Sequence, residues 1–413
     1  MAPGILSDGI ATNDARVNEH APQPFKPTGV LDKFEYEDST PIIGREFPKL
    51  NIVDDLLNAS NADELLRELA VTISRRGVVF FRAQDNLTND LQKQLVHRLG
   101  QLTGKPSTST LHIHPVLNNT NEFGVQDAEI STISSEARKQ IFATAYQAEN
   151  KRKYDAAQWH SDIQFEPAPA DYTSLRLTTL PRDDRGVPVG GDTLWASGYE
   201  LYDRFSAPYR RFLEGLSARF TGDGFIRAAE QNPEKVKIHE GPRGSDGNVG
   251  RALAAVHPVV RTNPVTGWKS VFAVGPFPKR VVELNVDESE ELLGRLVALV
   301  AGCHDLQVRF RWRNENDLAI WDNRSAFHSA TFDYDALGER FGNRAVGIGE
   351  KPFYDPNSKS RTEALAQEIE EKQKQKQTQA EVKKVPRSQE KVQEAVEKAP
   401  EVRVEGRAVE EVV

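Results

Sequence analysis

The sequence predicts a mainly β fold with flanking helices, and three observations predict it. From about 110 to 350 the chain is a succession of short apolar, β-branched and aromatic runs, among them "STLHIHPV", "TSLRLTTL", "SVFAV", "VRFRW" and "DLAIWDN". Gly, Pro, Asn and Asp punctuate these runs, a pattern that suits a barrel or jelly roll better than alternating βα units. Helical periodicity is concentrated ahead of this region, with inserts near 198–216 and 287–302.

Taken in order, residues 1–45 are mixed and non-periodic, and read as a loosely ordered arm. A helix follows, with Asn61 as its cap, Leu65, Leu66, Leu69, Ala70 and Ile73 on one face, and Gly77 at its end. "VVFFR" (78–82) reads as a buried strand and "LTNDLQKQLVHRLGQL" (87–102) as a second amphipathic helix. One domain is expected over 46–356. Residues 357–413 are rich in Glu, Lys and Gln and poor in aromatics, so a disordered or partly helical tail is expected there.

Composition removes several function classes. The 413 residues carry a formal net charge of −8, whereas phosphate binding wants a basic surface, so no nucleic-acid partner is expected. The longest apolar stretch, "LLGRLVALVAG", holds an arginine and is too short to span a bilayer, so no membrane role is expected. With one cysteine, Cys303, no disulfide can form within the chain, and no secretory signal is visible. The expected location is therefore the cytoplasm. Only Met1 and Cys303 contain sulfur. That is either compositional drift or the mark of a protein made when sulfur is scarce.

The chemistry is concentrated in "QWHSDIQF" (158–165). On a strand, positions i and i+2 share a face, so His160 and Asp162 can present an imidazole and a carboxylate to one point. Alone, such a triplet is usually ordinary strand sequence. His328, following the apolar run "DLAIW", offers a third ligand. Two histidines and one carboxylate leave adjacent positions open, which suits non-haem Fe(II), with zinc as the rival metal. Arg340 and Arg344 follow His328 and can pair with a carboxylate or a sulfonate, which a hydrolytic zinc site does not need. In "VGGDTLW" (189–195), Gly190 and Gly191 allow close backbone approach and Thr193 offers a hydroxyl, although a glycine pair alone is more often a hairpin turn. His114 has a plain alternative as a hydrogen-bonded strand histidine, the reading given to His112. Trp195, Trp312 and Trp321 read as packing residues and His257 as structural.

Together with "GGDTLWASGYELYD", "HPVVRTNPVTG" and "RFGNRAVGIGEKPFY", in order and at near-family spacing, these motifs resemble the taurine/2-oxoglutarate dioxygenase family of the TauD/TfdA type. The match is most like its fungal α-ketoglutarate-dependent sulfonate dioxygenases. The resemblance implies a double-stranded β-helix, the cupin-like jelly roll of 2-oxoglutarate oxygenases. It implies His160, Asp162 and His328 as iron ligands, and Thr193 and Arg340 as the pair holding the far carboxylate of 2-oxoglutarate. His114 and Arg344 would grip a sulfonate with help from the backbone of Ile163, while Phe165 and Phe277 line the pocket. Where taurine enzymes read the substrate amine with a tyrosine and an asparagine, this chain has Leu117 and Ala156, with Asp155 matching beside the latter. The sulfonate end is retained and the amine end altered. The implied reaction uses Fe(II), 2-oxoglutarate and O₂ to hydroxylate the carbon next to the sulfonate of a small organosulfonate. Sulfite and an aldehyde leave with succinate and CO₂, which would serve sulfur scavenging. The alternative is the same chemistry on a carboxylate, a sulfate ester or a secondary metabolite. A homo-oligomer, dimer or tetramer, is implied as well.

Overall fold

A computed structural model describes residues 23–116, 126–137, 158–234, 236–334 and 336–384. The chain divides into two units, Met1–Arg361 and Thr362–Val413. The first is mainly β with helices. Its large sheet has seven strands: β1 (Glu37–Asp38), β2 (Arg45–Phe47), β3 (Val78–Phe81), β13 (Leu318–Asp322), β5 (Ala170–Thr179), β15 (Phe341–Ile348) and β4 (Ile130–Ser134), side by side in that order. A three-stranded sheet orders β12 (Gln307–Phe310), β6 (Thr193–Ser197) and β14 (Ala326–Ala330). Another orders β11 (Pro278–Val281), β7 (Ser217–Thr221) and β8 (Ala254–Pro258), and β9 (Val260–Thr262) pairs with β10 (Lys269–Val271). All pairings are antiparallel except β2 with β3.

The run "VVFF" is apolar throughout because β3 is buried on both faces. Val79 and Phe81 join Leu65, Leu66, Leu69 and Ile73 of helix α1 (Ala62–Arg76), and Leu95 and Leu99 of helix α2 (Asn89–Leu102). Val78 and Phe80, one residue out of phase, join Trp195 and Phe310 of the small sheet and Trp312 just beyond it instead. The large sheet is thus sandwiched between a helical layer and the β12–β6–β14 sheet, and the candidate metal ligands sit on the latter side.

Both expected helices form, with one local difference. Thr88 caps α2 by accepting from the backbone of Leu91, but Asn61 makes no side-chain cap at α1; its amide donates to Glu64 instead, at 2.8 Å. Gly77 ends α1 at φ +74°, the left-handed region that favours glycine. The inserts near 198–216 and 287–302 become helices α3 (Gly198–Asp203), α4 (Ala207–Glu214) and α6 (Val286–Gly302), with α5 (Asp223–Gln231) lying between.

Two stretches read as strands are not strands. "STLHIHPV" makes a single bridge, Leu111 to Gly347, and otherwise follows β15 through His112 N donating to Val346 O at 2.8 Å. The segment after His160 is a turn. Helix α7 (Arg361–Lys384) begins at the last residue of the first unit, continues into the second, and is exposed along most of its length. Gln367 donates to Glu371 one turn later, at 2.9 Å. Among the described residues, no helix is long and apolar enough to cross a membrane.

Candidate metal centre

The centre is assembled by one strand and one turn. β14 places His328 opposite Trp195 of β6, and a two-bond bridge then locks His160 to His328, with N–H to O distances of 3.1 and 2.8 Å. Beyond the bridge the chain turns, and Ile163 sits at φ +48°, a region a β-branched residue rarely enters. It is this turn, not the face of a strand, that returns Asp162 to the imidazoles. Gly275 makes room for it: at φ +104°, a Cβ there would lie 2.1 Å from the carbonyl of Trp159.

One ligand atom from each of His160, Asp162 and His328 lies within 4.8 Å of the others, an arrangement that could hold a metal ion. His160 Nδ1 is 2.7 Å from the carbonyl of Gln158. A carbonyl only accepts, so Nδ1 carries the proton and the lone pair lies on Nε2, the atom a metal would take. Arg344 Nη1 donates to Asp162 Oδ1 at 2.7 Å, while Asp162 Oδ2 is buried without a hydrogen bond. Burial alone would raise the Asp162 carboxyl. Arg344, then His328 and His160, outweigh it and hold the group below the usual carboxylate range. Burial first, and then His160, pushes His328 down to about 3, keeping its imidazole neutral and able to ligate. The donor set and the unpartnered oxygen fit a divalent metal held by two imidazoles and one carboxylate.

Beside the triad, Gly190 and Gly191 take φ values of +76° and +66°, as a tight turn requires. Gly191 also does what a hairpin alone would not, since a Cβ there would sit 2.7 Å from Cδ of Arg340. Arg340 Nε donates to the Gly191 carbonyl at 2.8 Å and its Nη2 to Thr193 Oγ1 at 3.3 Å. Trp312, read as a packing residue, also donates its indole N–H to Thr193 Oγ1, at 3.2 Å.

On the other flank His114 is buried, and its Nδ1 accepts from the backbone of Val116 at 3.1 Å, which leaves Nε2 to carry the proton. Burial, then Arg344 and His112, pushes this imidazole well below its ordinary value, so it is a neutral donor. Phe165 and Phe277 meet at 5.2 Å, and Phe277 lies edge-on to His160 at 6.0 Å. Phe225 on α5 completes the wall, 5.0 Å from His114 and 5.6 Å from Phe165. Sequence reasoning missed Phe225, whose helix carries no motif. Asp155, with Leu117 and Ala156, lies outside the described residues.

The family described as "Taurine catabolism dioxygenase TauD, TfdA family" matches residues 35–346. The chain belongs to that family. It is 50% identical over 344 residues to the α-ketoglutarate-dependent dioxygenase btcD of Neocamarosporium betae, a match covering 83% of this chain and 98% of that protein. It is 33% identical to a putative α-ketoglutarate-dependent sulfonate dioxygenase of Schizosaccharomyces pombe, covering 73% of this chain and 68% of that one. A crystal structure of a putative α-ketoglutarate-dependent taurine dioxygenase from Burkholderia xenovorans superposes with a TM-score of 0.55 at 25% identity, covering 78% and 92% of the two chains. This TauD/TfdA member is therefore an α-ketoglutarate-dependent dioxygenase, an enzyme class that consumes 2-oxoglutarate and O₂.

Proposed function

We propose that the chain holds Fe(II) through His160, Asp162 and His328 and oxidises a C–H bond of an organic anion, with Arg344 and His114 at the anionic end. The observation that carries this reading is the triad itself, with its second carboxylate oxygen unpartnered and both imidazoles set to offer a lone pair. We read the large sheet and the β12–β6–β14 sheet as the two walls of a double-stranded β-helix. Bound iron supplies the activation of O₂ that couples oxidation of substrate to decarboxylation of 2-oxoglutarate.

The protein's own residues do the rest. Thr193 and Arg340 receive the far carboxylate of 2-oxoglutarate, the guanidinium giving charge and the hydroxyl a directed hydrogen bond. Arg344 supplies positive charge within reach of both the carboxylate ligand and an arriving anion, so it fixes the substrate relative to the metal. Neutral His114 adds a donor without adding charge, and the backbone at Ile163 can help. Phe165, Phe225 and Phe277 exclude water and suit an apolar substrate body.

The sulfonate reading places oxidation on the carbon bearing sulfur, releasing sulfite and an aldehyde. A second reading, a non-sulfonate anion such as a carboxylate, is favoured by the higher identity to btcD, whose name specifies no sulfonate. Purified protein with Fe(II), 2-oxoglutarate and O₂, given taurine, isethionate, alkanesulfonates and fatty carboxylates, separates the two. Sulfite appearing with succinate establishes the first. Substrate-dependent succinate and a hydroxylated acid without sulfite establish the second, and no succinate with any anion sinks the proposal.

A further inference from the structure

The segment from Ser161 to Phe165 lies in no regular strand, so no ladder fixes the carboxylate ligand. The side chain that does so is Asn323, which immediately follows β13 and is 1% exposed. Its Oδ1 accepts from the backbone N–H of Asp162 at 3.0 Å and from the indole N–H of Trp321 at 3.0 Å. Its own carbonyl accepts from Ser161 Oγ at 2.7 Å. On the other side Nδ2 donates to Thr173 Oγ1 at 2.7 Å and to the Asp171 carbonyl at 3.2 Å. Because a backbone N–H and an indole N–H can only donate, the amide has one satisfied orientation; flipped, it would set donors against donors. Thr173 Oγ1, by accepting that 2.7 Å bond, holds the amide in this orientation from its Nδ2 side.

We propose that Asn323 is the positioning residue of the metal centre, locking the Ser161–Asp162 turn so that the carboxylate stays within ligand distance of His160 and His328, with Thr173 anchoring its amide. It does so without touching the metal. The inference rests on the metal-centre reading above.

Co(II) titration of the full chain, followed by visible absorbance and calorimetry, tests it alongside thermal unfolding. Asn323→Leu removes the amide, and Thr173→Val removes one hydroxyl with little change of shape. Both are expected to weaken Co(II) binding by about 10- to 100-fold and to alter the Co(II) spectrum. Gln84→Leu is the control. Gln84 is equally buried, accepting from Ile52 N and donating to the carbonyls of Leu50 and Arg82 far from the triad. Its loss is expected to lower the melting temperature while leaving Co(II) affinity unchanged. Wild-type affinity and spectrum in Asn323→Leu and Thr173→Val would overturn the proposal. Should Asn323→Leu fail to fold, Thr173→Val decides alone. A wild-type chain that bound no Co(II) would overturn the metal-centre reading and this inference together.

Discussion

The two faces of the large sheet are built on opposite principles. On the helical face, leucines of α1 and α2 close over Val79, Phe81, Leu318 and Ile320, each fully buried and each placed by simple periodicity. On the face toward the small sheet lie Asn323 just after β13, Arg344 of β15, Asp162 in its turn, His160 in its bridge and His328 on β14, held by hydrogen bonds and charge. Dispersion and burial tolerate small shifts in the first region. Ligand geometry does not tolerate them in the second. Stability and chemistry are therefore separable by mutation, and the comparison can be broken from either side.

The largest contrast should come from Asp162→Ala against Leu69→Ala. The first is expected to abolish metal binding and to cut 2-oxoglutarate turnover by at least about 10³-fold, because members of a catalytic unit fail together. The second should cost about 2–5 kcal/mol in chemical denaturation while the folded fraction binds metal normally. Equal losses of metal affinity in both variants would erase the distinction.

Next in size is a pH effect. His257 Nε2 donates to the Glu166 carbonyl at 3.0 Å, and burial, followed by Arg261, pushes the imidazole down to about 4. An unfolded histidine titrates near 6.5. Between these values the unfolded chain binds a proton that the native one refuses, so stability is complete above about pH 6.5 and falls as pH drops. By pH 4 the loss reaches about 3 kcal/mol from this residue alone. Urea midpoints at pH 7, 6, 5 and 4 should fall less steeply in His257→Gln than in wild type; parallel curves would remove His257 as the cause.

Smallest in stability, and sharpest in location, is Gly191→Ala. The left-handed backbone costs about 1–3 kcal/mol, and the new methyl pushes on Arg340. The KM for 2-oxoglutarate should rise more than kcat falls, whereas a purely structural glycine would lower only the melting temperature.

Legibility in the sequence followed the same division. The helices and "VVFF" were readable because burial on a regular element leaves a period, and Gly77 marked the stop between them. His160, Asp162 and His328 were readable as residue types at motif spacing, but their geometry was not. The turn at Ile163 depends on Asn323, more than 150 positions away, and on Gly275, whose close approach to Trp159 leaves no local signal. "LHIHPV" looked like a strand because its alternation is real, yet beyond the Leu111 bridge it only runs beside β15. Phe225 and Asn323 were missed for one reason: each matters through a contact that only the folded chain creates. Asn61 had the right chemistry for a cap, and Glu64 drew its amide away.

The hydroxyl of Thr193 has a consequence for selectivity. Two N–H groups, from Arg340 and Trp312, converge on its oxygen, so its single hydrogen is left to point outward as a donor. A ligand group at this place must then accept and cannot give. The keto acid with a free terminal carboxylate meets that demand with either oxygen, while its half-amide would turn an NH₂ toward a hydroxyl and a guanidinium that have no lone pair to spare. The pocket end we assign to 2-oxoglutarate thus reads hydrogen-bond polarity as well as charge, and the tryptophan behind it, without touching any ligand, sets which way that reading runs.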